Sequence, residues 1–375
     1  MDASLLLLVG LLLAYFNRTG ALPGVCCGMA GNNLPTPQEV VDLYKAQNIT
    51  KMRIFSPYQE ILQALKGSNI ELVMGILESD LGGIASSNIS IASDWVKNNI
   101  IPYYPNVRFR YIVVGNEVNP FINSNAQYVL PAMQNIYDAL KSRGLENQIK
   151  VSTIVSSQIL VTSNPPSKGS FRDDAISYIK PITLFLRQNG SPLLANIYPY
   201  FIYNADQEGI GLSYALFTSQ SVVAQDGKLG YRNLFDSMVD TLYSALEKLG
   251  ASTIEIVVSE SGWPSEGGSA ASMENAGAYN SNLIQHVKGG TPKRPGKEVE
   301  TYVFNMFDEN NYDHFWGIYL PNKQPKYAFS FSNSVSTNDS TTSESNKLFT
   351  KNKNQMSHIA SIAMSPFITL LLFNM

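Results

Sequence analysis

Eight short runs rich in apolar and β-branched residues alternate with amphipathic stretches through most of this 375-residue chain, and that alternation is its strongest folding constraint. The runs are Gly24 to Met29, Lys51 to Phe55, Glu71 to Ile76, Phe109 to Glu117, Lys150 to Val155, Leu194 to Tyr200, Glu255 to Ser261 and Thr301 to Asp308. Helical patterns lie between them at Thr36 to Gln47, Tyr58 to Lys66, a segment before Tyr103, Ala126 to Arg143, Asp173 to Gln188, Leu234 to Leu249 and Ser272 to Val287. Strands joined by crossover helices run parallel, and eight such units close into a single α/β domain, a (β/α)8 TIM barrel. A doubly wound open sheet would carry a Gly-rich phosphate turn after its first strand. Gly24 to Gly31 does not supply one, and Gly209-Ile210-Gly211 is only a fragment of such a motif.

Hydrophobic residues make up 44% of the chain and charged residues only 15%, enough apolar material for one large core. A net charge of −3 supplies no basic face for nucleic acid, so a neutral, polar partner fits better. The apolar run Leu5 to Ala14 is too short for a membrane span and leads to small residues at Thr19, Gly20 and Ala21; residues 1–21 read as a signal peptide, although Asp2 stands where Lys or Arg is usual. The sequons at Asn48, Asn88, Asn189 and Asn338 agree with secretion. Cys26 and Cys27 are adjacent, a geometry too strained for an ordinary disulfide, so the folded body, residues 22–331, must hold together by packing. Residues 332–375 change character: a Ser/Thr/Asn/Lys-rich linker, then an apolar tail from Ile359 to Phe373. That layout matches either the signal for a lipid anchor at a membrane or a sorting extension that is cleaved.

Two of the eight runs carry a glutamate at or next to their last residue, Glu117 after Val114-Gly115-Asn116 and Glu260 within Val258-Ser259-Glu260-Ser261-Gly262-Trp263-Pro264. A charge at the end of a buried strand must be paired or put to chemical use, because burying it alone costs several kcal/mol. The catalytic mouth of a barrel is formed by the C-terminal strand ends, so these two side chains can face each other across it, as a pair of acids cleaving a glycosidic bond would. Tyr198, Tyr200, Trp263, Phe307 and Glu309 fall at neighbouring strand ends, and aromatic faces with a few polar groups suit sugar rings. The three histidines, His286, His314 and His358, are scattered, no Gly-x-Ser-x-Gly elbow occurs, and neither a metal nor a cofactor is expected.

Val25-Cys26, Gly28-Met29, Gly31-Asn32-Asn33-Leu34-Pro35, Val114-Gly115-Asn116-Glu117-Val118, Asn196-Ile197-Tyr198-Pro199-Tyr200-Phe201, Gln225-Asp226-Gly227, Val258 to Pro264 and Met306-Phe307-Asp308-Glu309-Asn310 occur in that order. Together they resemble the plant endo-1,3-β-glucanases of glycoside hydrolase family 17. With the leader and tail readings, a secreted, monomeric enzyme of the cell wall is expected, or one that is anchored or vacuolar; the resemblance implies internal cleavage of 1,3-β-glucan with retention. It implies Glu117 as acid/base and Glu260 as nucleophile, with Asn116 at the sugar 2-hydroxyl and Tyr198 donating to Glu260. The chain departs from the family pattern at Cys27, at Arg53-Ile54-Phe55-Ser56-Pro57-Tyr58 and in the shorter loop Asn311 to Gly317. Those departures keep open a glucan-binding or weakened enzyme on the same fold, and the covalent intermediate of the implied mechanism would also permit a transglycosylase.

Overall fold

The computed structural model describes residues 23–161, 164–310 and 313–331, so the expected signal peptide and C-terminal segment lie outside the described residues. Eight strands form a closed, all-parallel barrel whose neighbours follow chain order. They are β1 Gly24–Cys26, β2 Lys51–Ile54, β3 Glu71–Gly75, β4 Arg108–Asn116, β5 Lys150–Val155, β6 Leu193–Asn196, β7 Ile256–Ser261 and β8 Thr301–Val303. Among the described residues the main helices on the outside are α1 Pro37–Ala46, α2 Gln59–Ala64, α3 Ile89–Asn99, α4 Ala126–Lys141, α5 Ile176–Asn189, α6 Leu234–Lys248 and α7 Met273–His286. The helix starts are written locally. Thr36 and Glu39 form a capping box ahead of α1, with Pro37 in its first turn, and the side chains of Asn233 and Ser272 cap α6 and α7. Among the described residues no helix is long and apolar enough to cross a membrane.

Period-two alternation sorts the strand side chains into two cores. Cys26, Val73, Tyr111, Val113, Ile154, Leu194, Val257 and Tyr302 point into the barrel, where Phe55 and Phe304 pack onto them. Their neighbours Val25, Met52, Leu72, Ile112, Val114, Val151, Val258 and Val303 pack outward against the helices. Cys26 and Cys27 are both buried free thiols, one on each side of this divide.

Three expected strands ran too long: β1 stops at Cys26 and not at Met29, and the other two stop early for identifiable reasons. β6 ends at Asn196 because Pro199 opens a short helix, Pro199–Ala205, that takes Tyr200 out of the sheet. β8 ends at Val303, and the following segment folds back so that Phe307 bridges to Tyr319.

Candidate active site

Both strand-end glutamates owe their direction to a local break in the sheet. On β7, Val257 points inward and Val258 outward, so strict alternation would turn Glu260 towards the helices. The register with β6 shifts between Val258 and Glu260, and the register with β8 between Val258 and Ser261. That irregularity turns Glu260 into the mouth and sends Ser261 Oγ outward to Tyr279 Oη on α7 (2.6 Å). On β4 the register with β5 shifts between Val113 and Asn116. Gly115 takes φ +81°, and a side chain there would meet Val118 at 2.9 Å. Glu117 follows at φ 54°, a left-handed conformation that costs a non-glycine residue about 1–3 kcal/mol. The result is that Asn116 and Glu117 both face the mouth, where both are exposed.

Arg53 organises the space between the carboxylates. Its side chain points inward from β2, 3% exposed, and its Nη1 lies 2.7 Å from Glu260 Oε1. The same nitrogen donates to the Ser259 carbonyl (2.8 Å) and to Asn196 Oδ1 (3.3 Å), while Nη2 donates to Asn116 Oδ1 (2.9 Å). The guanidinium carbon sits 4.5 Å from the centre of the Phe55 ring. A guanidinium buried this deeply needs a counter-charge, and Glu260 provides it. The second oxygen of Glu260, Oε2, accepts from Tyr198 Oη (2.7 Å). Burial, then the Glu260 charge, pushes that phenol well above its usual range, so it remains a donor.

Glu117 is held differently. Its Oε1 accepts from Asn196 Nδ2 at 2.6 Å, and the protein packed around the carboxyl group keeps much of the water from it although the residue opens onto the cleft. That enclosure, reinforced by the charge of Glu260, raises its pKa to about 7 against the smaller opposing pulls of Asn196 and Arg53. One carboxyl group is thus poised to give a proton near neutrality, and the other is an ion-paired carboxylate one side chain away. Asn196 bonds to Glu117 and Arg53 to Glu260, and the contact of Arg53 with Asn196 joins the two carboxylates through this pair.

Half-buried aromatic rings line the cleft on the Glu260 side. Tyr198, Phe304 and Trp316 pack mutually, with centroid separations of 6.3 Å for Tyr198 to Phe304, 5.4 Å for Tyr198 to Trp316 and 5.8 Å for Phe304 to Trp316. Phe55 joins at 6.2 Å from Phe304 and Phe201 at 5.3 Å from Tyr198. Their free ring surfaces suit the apolar faces of sugar rings.

Four expected cleft residues are placed elsewhere. Trp263 is fully buried beneath the mouth, donating through Nε1 to the Ala270 carbonyl and packing on Tyr200 and Tyr279. Tyr200 is buried with it because the Pro199 helix turns its ring inward, and Phe307 is 2% exposed behind β8. Glu309 is a tie between loops: its carboxylate accepts from the Ala30 amide (2.5 Å) and Asn305 Nδ2 (2.9 Å), so close to Gly28 that any side chain there would collide. These four are corrected from sugar contacts to supports of the mouth.

Arg53, Ser259 and Trp316 escaped the sequence-based selection of site residues, whereas Asn196 and Phe304 fall at the strand ends expected to surround the mouth. For Arg53 the signal was present, a charged residue inside the apolar run of β2, the same anomaly that marks the two glutamates. The uncharged ones carry no such mark.

The comparisons with known proteins agree with this geometry. The model of glycosyl hydrolases family 17 matches residues 23–331. A glucan endo-1,3-beta-glucosidase of Vitis vinifera is 55% identical over 317 residues, covering 82% of this chain and 91% of that protein. A basic vacuolar isoform of glucan endo-1,3-beta-glucosidase from Nicotiana plumbaginifolia is 50% identical, covering 84% and 88%. Among solved structures, the beta-1,3-glucanase and pollen allergen CJP38 of Cryptomeria japonica superposes with a TM-score of 0.80 at 46% identity, covering 84% of this chain and all 100% of that one. One of two plant beta-glucan endohydrolases described as having distinct substrate specificities gives a TM-score of 0.78 at 44% identity, covering 82% and 99%. With a barrel closed in chain order, two bulge-directed glutamates at its mouth and a family match spanning its whole described body, this chain belongs to glycosyl hydrolases family 17.

Proposed function

We propose that this protein hydrolyses internal 1,3-β-glucosidic bonds of 1,3-β-glucans such as callose, retaining the configuration at the cleaved carbon. The observation that carries the reading is the unequal pair: Glu117 raised to about 7 facing Glu260 in an ion pair with Arg53. In the first step Glu260 forms a bond to the anomeric carbon while Glu117 gives its proton to the departing glycosidic oxygen. In the second, Glu117 takes a proton from water, the hydroxide attacks the same carbon, and the bond to Glu260 breaks. The shared link through Asn196 and Arg53 supports the close spacing of about 5–5.5 Å that double displacement needs. Asn116, exposed in the mouth with its Oδ1 held by Arg53, is positioned for the sugar 2-hydroxyl, and Tyr198, Phe304 and Trp316 for ring faces.

We propose further, from the leader reading of residues 1–21, that the enzyme follows the secretory route to the cell wall, and that it acts as a monomer. The exposed sequon asparagines Asn48 and Asn88 support that route, since either could carry a glycan without disturbing the core. The apolar tail would hold it at the plasma membrane through a lipid or be removed on the way to the vacuole; phospholipase release from membranes separates the two. The activity is tested with the full chain on a soluble 1,3-β-glucan. Oligosaccharide release that Glu117→Gln and Glu260→Ala both abolish is expected; undiminished release by either variant, or none by the wild type, would refute it.

A further inference from the structure

Ser259, immediately before the nucleophile, is wholly buried, and its hydroxyl has one partner that matters for chemistry. Its Oγ donates to Asn196 Oδ1 at 2.8 Å, a closer contact than the 3.3 Å from Arg53 Nη1 to the same atom. A guanidinium can only donate, so the Asn196 atom turned towards Arg53 must be the carbonyl oxygen, and Nδ2 must then face Glu117. Nδ2 meets Glu117 Oε1 at 2.6 Å, and among the described residues nothing donates to Oε2. We infer that Ser259 is a positioning residue for the acid: with Arg53 setting which way the Asn196 amide faces, the buried Ser259 hydroxyl donates to the same oxygen and holds the amide there, so that Oε1 of Glu117 stays an acceptor and the transferable proton resides on Oε2.

The consequence follows from what a reversed amide would do. Its carbonyl would stand against Glu117 Oε1 and accept the acid's own proton, trapping it between two buried side chains. Ionised Glu117 would lose its only donor while protonated Glu117 gained an acceptor, and both changes favour the protonated form. The acid would become harder to ionise and, at the same time, a poorer donor to the glycosidic oxygen. The charged and titratable groups facing Glu117 are Glu260 from β7, Arg53 from β2 and the Tyr198 hydroxyl beyond β6, with the Cys26 thiol of β1 below Arg53 and Glu260. Ser259→Ala leaves all of them in place and removes one oxygen atom from a fully enclosed position, so a change at Glu117 would report the amide.

The inference rests on the hydrolase reading for its importance, but its test needs no substrate. The full chain is labelled with glutamate carrying ¹³C at the side-chain carboxyl, the Glu117 signal is assigned by its loss in Glu117→Gln, and pH is varied. Wild type is expected to titrate near 7, and Ser259→Ala higher by roughly half a unit or more. On glucan, kcat/KM of Ser259→Ala below that midpoint is expected to fall about 2- to 10-fold, the range for one neutral hydrogen bond. A second measurement uses wild type alone: the Asn196 side-chain NH2 resonance should shift with the Glu117 midpoint. An unchanged Glu117 midpoint in Ser259→Ala, or an Asn196 signal that ignores the Glu117 titration, overturns the inference. Failure of wild type to cleave glucan would instead count against the activity and leave both titrations readable.

Discussion

Arg53 Nη1 stands 2.7 Å from Glu260 Oε1, with the two side chains 3% and 8% exposed, and this ion pair ties β2 to β7 at the mouth of the barrel. The same guanidinium reaches Asn116, Asn196 and the Ser259 carbonyl, so one buried cation holds parts of β2, β4, β6 and β7 in register.

Removing that cation should cost both stability and turnover. Arg53→Met strands a buried carboxylate, and breaking a pair of this kind costs about 3–5 kcal/mol, visible as a lowered denaturation midpoint. Arg53 also opposes the rise at Glu117, so the basic limb of the variant's pH profile should move to higher pH. Arg53→Lys restores the charge without the planar fork and should recover stability better than kcat/KM.

The pH profile of the wild type reports Glu117. As the proposed acid it works in its protonated form, and a pKa raised to about 7 keeps it protonated in mildly acidic solution. Activity on glucan should therefore fall as pH rises through about 7, measured as kcat/KM to report the free enzyme. Glu117→Gln should lack this limb and lose about 10²–10⁴-fold in rate, with azide, which needs no general base, restoring part of the second step.

The two tryptophans of the mouth should separate cleanly. Trp263 is enclosed and hydrogen-bonded, so Trp263→Ala should destabilise the fold by about 3–5 kcal/mol in chemical denaturation. Trp316 is half-buried at the cleft, packed on Tyr198 and Phe304. Trp316→Ala should raise KM for glucan several-fold while leaving the denaturation midpoint closer to that of the wild type.

The eight strands and the main covering helices were legible because a parallel barrel buries both strand faces and leaves each strand a continuous apolar run. The glutamates were legible because a charge within such a run is anomalous, and Arg53 shares that signature. The bulges at Val258 and Val113 were not, since a register shift leaves no mark on residue type, yet they decide where Glu260 and Glu117 point. Nor could composition tell Trp263 from Trp316: large aromatic residues serve a core and a sugar cleft equally well, and only the fold separates them. Asn196 and Ser259 are neutral polar residues inside the barrel, visible as parts of a network once Arg53 has a position.

The most direct test of the central claim is covalent. A 1,3-β-linked glucosyl fluoride with fluorine at the 2-position slows release of the glycosyl enzyme more than its formation, so the intermediate accumulates and peptide mass mapping locates it. The label is expected on Glu260 alone, with Glu260→Ala unlabelled. A label on another residue, or glucan hydrolysed by an enzyme that never becomes labelled, would contradict the assignment of Glu260 as nucleophile.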